Sequence, residues 1–90
     1  MTDIENESVM EFPCQFPIKA FGSTRCDVKG VVEDILQRHV EDWENAIFKQ
    51  RPSKNGKYIS ITVSFEAASR KQLDAIYQEL TASEFILMAL

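Results

Sequence analysis

Ninety residues, 44% hydrophobic and 27% charged, describe one globular domain near the low end of what folds alone, and exclude a disordered chain. A domain of this size buries only about 60–65% of the surface that its unfolded chain exposes, so its core is modest. The net charge of −4 is an uneven average: Asp3, Glu5, Glu7 and Glu11 fall together at the start, leaving ten acidic against ten basic residues in the remainder. A body without basic excess argues against a general nucleic-acid binder.

No apolar run is long enough to span a membrane, and residues 1–11 lack the basic start and apolar stretch of a signal peptide. The expectation is a soluble, cytoplasmic protein. Cys14 and Cys26 lack CxxC spacing, and His39 is the only histidine. That set points to two free thiols, with no metal and no cofactor.

Met1–Met10 is acidic and aperiodic and reads as a disordered tail, with one domain over residues 11–90. From Cys14 to Phe21 the residues alternate as a first strand, with a ladder confined by its two prolines to the part after Pro17. Thr24 followed by Asp27 reads as a capping-box-like start for a helix from Arg25 to about Val40. That helix carries Val28, Val31, Val32, Ile35, Leu36 and Val40 on one stripe.

The most strongly patterned stretch follows, Ala46 to Glu66. It reads as a hairpin turning at Pro52-Ser53-Lys54-Asn55-Gly56. Its second strand sets Ile59, Ile61, Val63 and Phe65 against Tyr58, Ser60, Thr62, Ser64 and Glu66, the alternation of a sheet covered on one side. Ser69 with Gln72 forms a capping box for a second helix bearing Leu73, Ile76, Tyr77 and Leu80. Glu84 to Leu90 reads as a last strand, apolar on both faces.

Strand, helix, strand, strand, helix, strand is an α+β, ferredoxin-like βαββαβ order. It predicts a four-stranded antiparallel sheet of order 4-1-3-2 with two helices on one face.

Several strings carry a family resemblance. They are Glu11-Phe12-Pro13, Lys19-Ala20-Phe21-Gly22, Pro52-Ser53 with Gly56-Lys57-Tyr58, Ser60-Ile61-Thr62, and the terminal Met88-Ala89-Leu90. Together they resemble the YbeD-like family of small bacterial proteins over nearly the whole chain after the acidic tail. The resemblance implies a ferredoxin-like fold similar to the ACT regulatory domains, which bind amino acids at subunit interfaces. Family members often carry a basic residue in the last strand where this chain has Leu87.

No catalytic constellation stands out, so the expectation is a non-enzymatic regulatory or adaptor domain acting through protein–protein contact. The alternative is an ACT-like sensor holding an amino acid or anion at a subunit interface. Lys49, Arg51, Lys54 and Lys57, with no acid from Asn45 to Phe65, mark an anion or partner site to which Ser53 and the turn amides would add donors. An ordinary solvated loop tip accounts for the same lysines.

Gly22, Ser23, Thr24 and Arg25 precede the first helix, where free amides can hold an anion, although Thr24 as a cap also explains them. They lack the Asp-x-x-Gly pattern of amino-acid-binding ACT sites. Cys26, beside Arg25 in the expected first turn, has no neighbouring base in sequence to activate it. His39 reads as a boundary residue with one hydrogen bond. Phe85, Leu87 and Ala89 mark a sticky edge suited to a homodimer, unless Val9 to Phe12 covers it.

Overall fold

In the structure, a computed structural model that describes residues 11–90, the order is β1 (Cys14–Ser23), α1 (Val28–His39), β2 (Ile47–Pro52), β3 (Tyr58–Ala67), α2 (Arg70–Ala82) and β4 (Met88–Ala89). The expected tail at Met1–Met10 lies outside the described residues. One antiparallel sheet of order β2-β3-β1-β4 carries both helices on one face, as the order of elements predicts. Among the described residues no helix is long and apolar enough to cross a membrane.

The central ladder pairs β1 with β3 from Cys14 opposite Ala67 to Ser23 opposite Tyr58. This register puts Ile18, Ala20, Ile61, Val63, Phe65 and Ala67 on the helix side, all buried. Val28, Val32, Ile35 and Leu36 of α1, with Leu73, Ile76 and Leu80 of α2, close over them. The valine-rich α1 is a weak helix by propensity, so this packing holds it. No buried side-chain polar atom among the described residues lacks a partner.

The ladder does not begin after Pro17 but runs the full length of β1. Lys19 and Leu90 exchange backbone hydrogen bonds of 2.9 and 2.7 Å, so odd-numbered β1 residues direct their backbone groups toward β4. Pro17 has that parity, and the pairing with β4 stops short of it. Its missing N–H therefore leaves the β1–β3 ladder whole.

Two further expectations are corrected. The N-cap of α1 is Asp27, not Thr24: the Asp27 carboxylate accepts from the Gly30 amide at 3.1 Å, and the helix starts three residues later than predicted. The last strand is only Met88–Ala89, because a turn claims the residues before it. Ser83 Oγ accepts from the Phe85 amide at 3.2 Å and Ser83 O from the Ile86 amide at 3.3 Å.

At α2 the capping box is present in a shifted form. Ser69 Oγ accepts from the Gln72 amide at 3.1 Å, while Gln72 Oε1 accepts from the Ala68 amide at 2.7 Å. Gln72 Nε2 also donates to His39 O at 2.8 Å, tying the end of α1 to the start of α2.

A second tie joins the helices through Glu79, which pairs with Arg38 and His39, while Arg38 also reaches Asp34 at 2.6 Å. The Arg38 guanidinium, then His39, hold the Glu79 carboxyl below the ordinary glutamate range. Glu79 and Asp34 in turn push the Arg38 pKa upward.

Where β1 ends, the backbone passes so close to its neighbours that only glycine fits. A Cβ on Gly22 would lie 2.6 Å from Val28 Cγ2 and 2.7 Å from the Phe85 carbonyl oxygen. Val28 can shift, but Phe85 O is backbone in the turn leading to β4. Gly22→Ala is expected to destabilise by about 1–3 kcal/mol, as overpacking does. Urea unfolding monitored by circular dichroism measures it, and an unchanged midpoint would show that the β4 turn yields freely.

Candidate functional site

The two basic or polar stretches singled out in sequence meet in space at one end of the sheet. The β2–β3 turn occupies residues 53–57, and Gly56 takes the positive φ of 76° that its reversal requires. Ser53 organises this turn. Its amide donates to Tyr58 O at 2.7 Å, and its hydroxyl accepts from the Tyr58 amide and donates to Asn55 Oδ1, both at 3.1 Å.

Thr24 then stitches the β1–α1 loop onto the turn. Its amide donates to Lys57 O at 3.0 Å, and its hydroxyl reaches Gly56 O at 2.8 Å and Lys57 O at 3.1 Å. Through Thr24, Arg25 is brought to the end of the sheet that carries Arg51, Lys54 and Lys57.

This stitching engages most of the backbone amides expected as anion donors. The amides of Ser53, Gly56, Lys57 and Tyr58 are all satisfied within the turn. Those of Thr24, Arg25 and Cys26 go to Lys57 O, Ser23 Oγ and Ser23 O. The N-terminus of α1 already holds the Asp27 carboxylate, whose charge repels a second anion. The side chains of Arg51 and Lys54 bring positive charge to this end.

The uncovered sheet face continues the site. By register, Arg51, Ser60, Phe21 and Met88 form one cross-strand row, and Lys49, Thr62 and Lys19 the next. A concavity of about 510 Å³ opens there, with Phe21 and Tyr58 as its apolar floor and Arg51, Lys54, Ser53 and Ser60 as its polar rim. No carboxylate of the described residues lines it. Phe21, Tyr58, Ser60 and Lys19 were not singled out as site residues from the sequence, although strand parity already placed all four on the polar side.

Other candidates do not line the hollow. Cys26 lies before α1, partly buried against the core, rather than in its first turn. His39 has the hydrogen-bond partner expected of a boundary residue, Glu79. Glu41, Asp42 and Glu44 are exposed. Among the described residues no cluster of His, Cys, Asp and Glu could hold a metal ion.

The expected self-association set divides. Phe85 and Leu87 are exposed, at 44% and 64%, whereas Ala89 lies opposite Ala20 and packs against the core. Met88 and Leu90, at 54% and 62%, extend the apolar surface instead. Phe12 packs on the core just before the start of β1, whereas β4 pairs opposite Ala20 and Phe21 near the other end of that strand; Val9 and Met10 lie outside the described residues.

The class so defined is a small ferredoxin-like α+β protein with a basic, aromatic-floored hollow at the hairpin end of its sheet. The chain belongs to the YbeD-like family, proteins of unknown function whose DUF493 sequence model matches residues 7–90. It is 37% identical over 84 residues to a UPF0250 protein of Nitrosomonas europaea, covering 93% of this chain and 97% of that one. It is 35% identical over 91 residues to a UPF0250 protein of Neisseria meningitidis serogroup B, covering both chains fully. The solution structure of protein HP0495 from H. pylori has the same fold, with a TM-score of 0.68 at 20% identity over 90% of this chain and 85% of that one.

Thr24→Val would remove the hydroxyl donor shared between Gly56 O and Lys57 O and keep the amide bond. The expected loss is about 0.5–1.5 kcal/mol, the usual net value of such bonds. Faster amide exchange at Thr24 and Gly56 should accompany it; unchanged exchange would show that the turn and loop are independent.

Proposed function

We infer that this protein acts by binding rather than by catalysis: a regulatory or adaptor domain whose hairpin end recognises an acidic surface of a protein partner. The supporting observation is a hollow lined by Arg51 and Lys54, and by no carboxylate of the described residues, at the end of the sheet where Thr24 also holds Arg25 near Lys57. A charged rim around an apolar floor suits partner recognition, the charges guiding encounter and the aromatic residues giving contact area. Consumption of the nearby amides disfavours a tight small-anion cradle. The hollow's volume still admits a small ligand, as the ACT-like reading requires.

The test is reversal of Lys49, Arg51, Lys54 and Lys57 to glutamate, followed by affinity purification from the native cell and thermal melting against amino acids and small anions. Salt-sensitive partners retained by the wild type and lost by the variant are expected, with no change in folding. Partners that persist unchanged would sink the adaptor reading. A melting-temperature rise with an amino acid would instead favour the sensor, since ligand binding stabilises by mass action.

The same reading includes self-association through Phe85, Leu87, Met88 and Leu90, exposed large apolar residues close together at the end of the chain. Light scattering should give a dimer mass for the wild type and a monomer for Leu87→Lys. A monomer in both removes the interface.

A further inference from the structure

We propose that the edge of β2, unpaired among the described residues, accepts an acidic, extended peptide segment as a fifth strand, its alternate carboxylates set against Lys49 and Arg51. The proposal rests on the reading of the hairpin end as a partner site and specifies how the partner is held.

Hydrogen-bond parity defines the edge. Ser53 N donates to Tyr58 O, and the β2–β3 register continues from there by one residue for one. The backbone groups of Ile47, Lys49 and Arg51 therefore face β3, and those of Phe48 and Gln50 face outward. Pro52 has no N–H to offer, which bounds the edge on the turn side.

Cations flank this edge on both faces of the sheet. Lys49 and Arg51, two residues apart, lie on the uncovered face with Thr62 and Ser60. On the helix side Lys29 Nζ sits 5.4 Å from the centre of the Phe48 ring. A hollow of about 190 Å³ lined by Lys29, Phe48, Lys49, Gln50 and Ile61 lies at the edge, where side chains of an added strand would enter.

In antiparallel addition, residues opposite Lys49 and Arg51 are themselves two apart, and share their face. The residue between them points toward Lys29. Carboxylates at every second position thus meet both cations at once. A second copy of β2 fits badly, because its Lys49 and Arg51 would oppose like charges. The same basic residues that block self-pairing select an acidic strand.

The test uses the full chain, isotope-labelled, with two synthetic peptides of one composition. In the first, glutamate alternates with threonine and valine; in the second, the glutamates form one block. The alternating peptide should slow amide exchange at Phe48 and Gln50, and bind about tenfold or more tightly than the block peptide, as strand addition requires. Gln50→Pro should weaken it about tenfold while Lys49 and Arg51 keep their exchange rates, since the lost N–H faces outward. If that variant fails to fold, the Phe48 and Gln50 rates in the wild type decide alone.

Unchanged rates at saturating peptide, or equal binding by both peptides, would overturn strand addition. Equal binding that disappears in the fourfold charge reversal would leave the acidic-partner reading standing without it. Failure of both peptides to bind would remove both.

Discussion

The register of β1 on β3 is the constraint on which the rest of the molecule depends. From Cys14 opposite Ala67 to Ser23 opposite Tyr58 the two central strands pair without a bulge, so every side chain's face follows from one alignment. A slip of one residue would set the faces of the two strands against each other, sending either Ile18 and Ala20 or Ile61, Val63 and Phe65 to water and bringing Lys19, or Thr62 and Ser64, under the helices. Burial of that set against α1 and α2 makes such a slip prohibitively costly. Both the core and the composition of the uncovered face are consequences of this pairing.

The register also explains why the hairpin end is built and not merely frayed. Pairing to the last residue of β1 delivers Thr24 to the turn, where its amide and hydroxyl close on Lys57 O and Gly56 O. Gly22 lets the chain pass between Val28 and the backbone of Phe85. Segments distant in sequence are thereby held against one another, and hydrogen-bonding groups of the loop and turn serve the fold. What remains outward is side-chain charge on a rigid support, an arrangement suited to reading a partner's surface more than to enclosing an ion.

Much of the fold was legible because its elements are strongly periodic. The alternation from Tyr58 to Glu66 and the stripe Val28, Val32, Ile35, Leu36 read directly onto the observed buried faces. Terminal details were less legible because they depend on neighbours distant in sequence. Thr24 has the chemistry of an N-cap, yet the turn residues at 56–57 compete for its hydroxyl, and Asp27 takes the cap. Pro17 looked like a barrier to pairing; its harmlessness depends on which strand its nitrogen faces. Glu84 to Leu90 is apolar enough for a full strand, but Ser83 draws its first residues into a turn.

The site was legible in a similar way: its charges could be read, its assembly could not. Lys49, Arg51, Lys54 and Lys57 were visible as a run without acids, while their convergence with Arg25 needed the Thr24 bonds. Sequence averages also conceal what topology separates. Beyond residue 11 the acidic and basic residues balance, yet the fold gathers base on β2 and its turn and places Asp34, Glu79 and Asp74 on the helices. An edge strand flanked by cations on both faces discourages pairing with its own kind. The same edge keeps backbone groups of Phe48 and Gln50 open to water, so protection against aggregation and selection of an acidic strand rest on one set of charges.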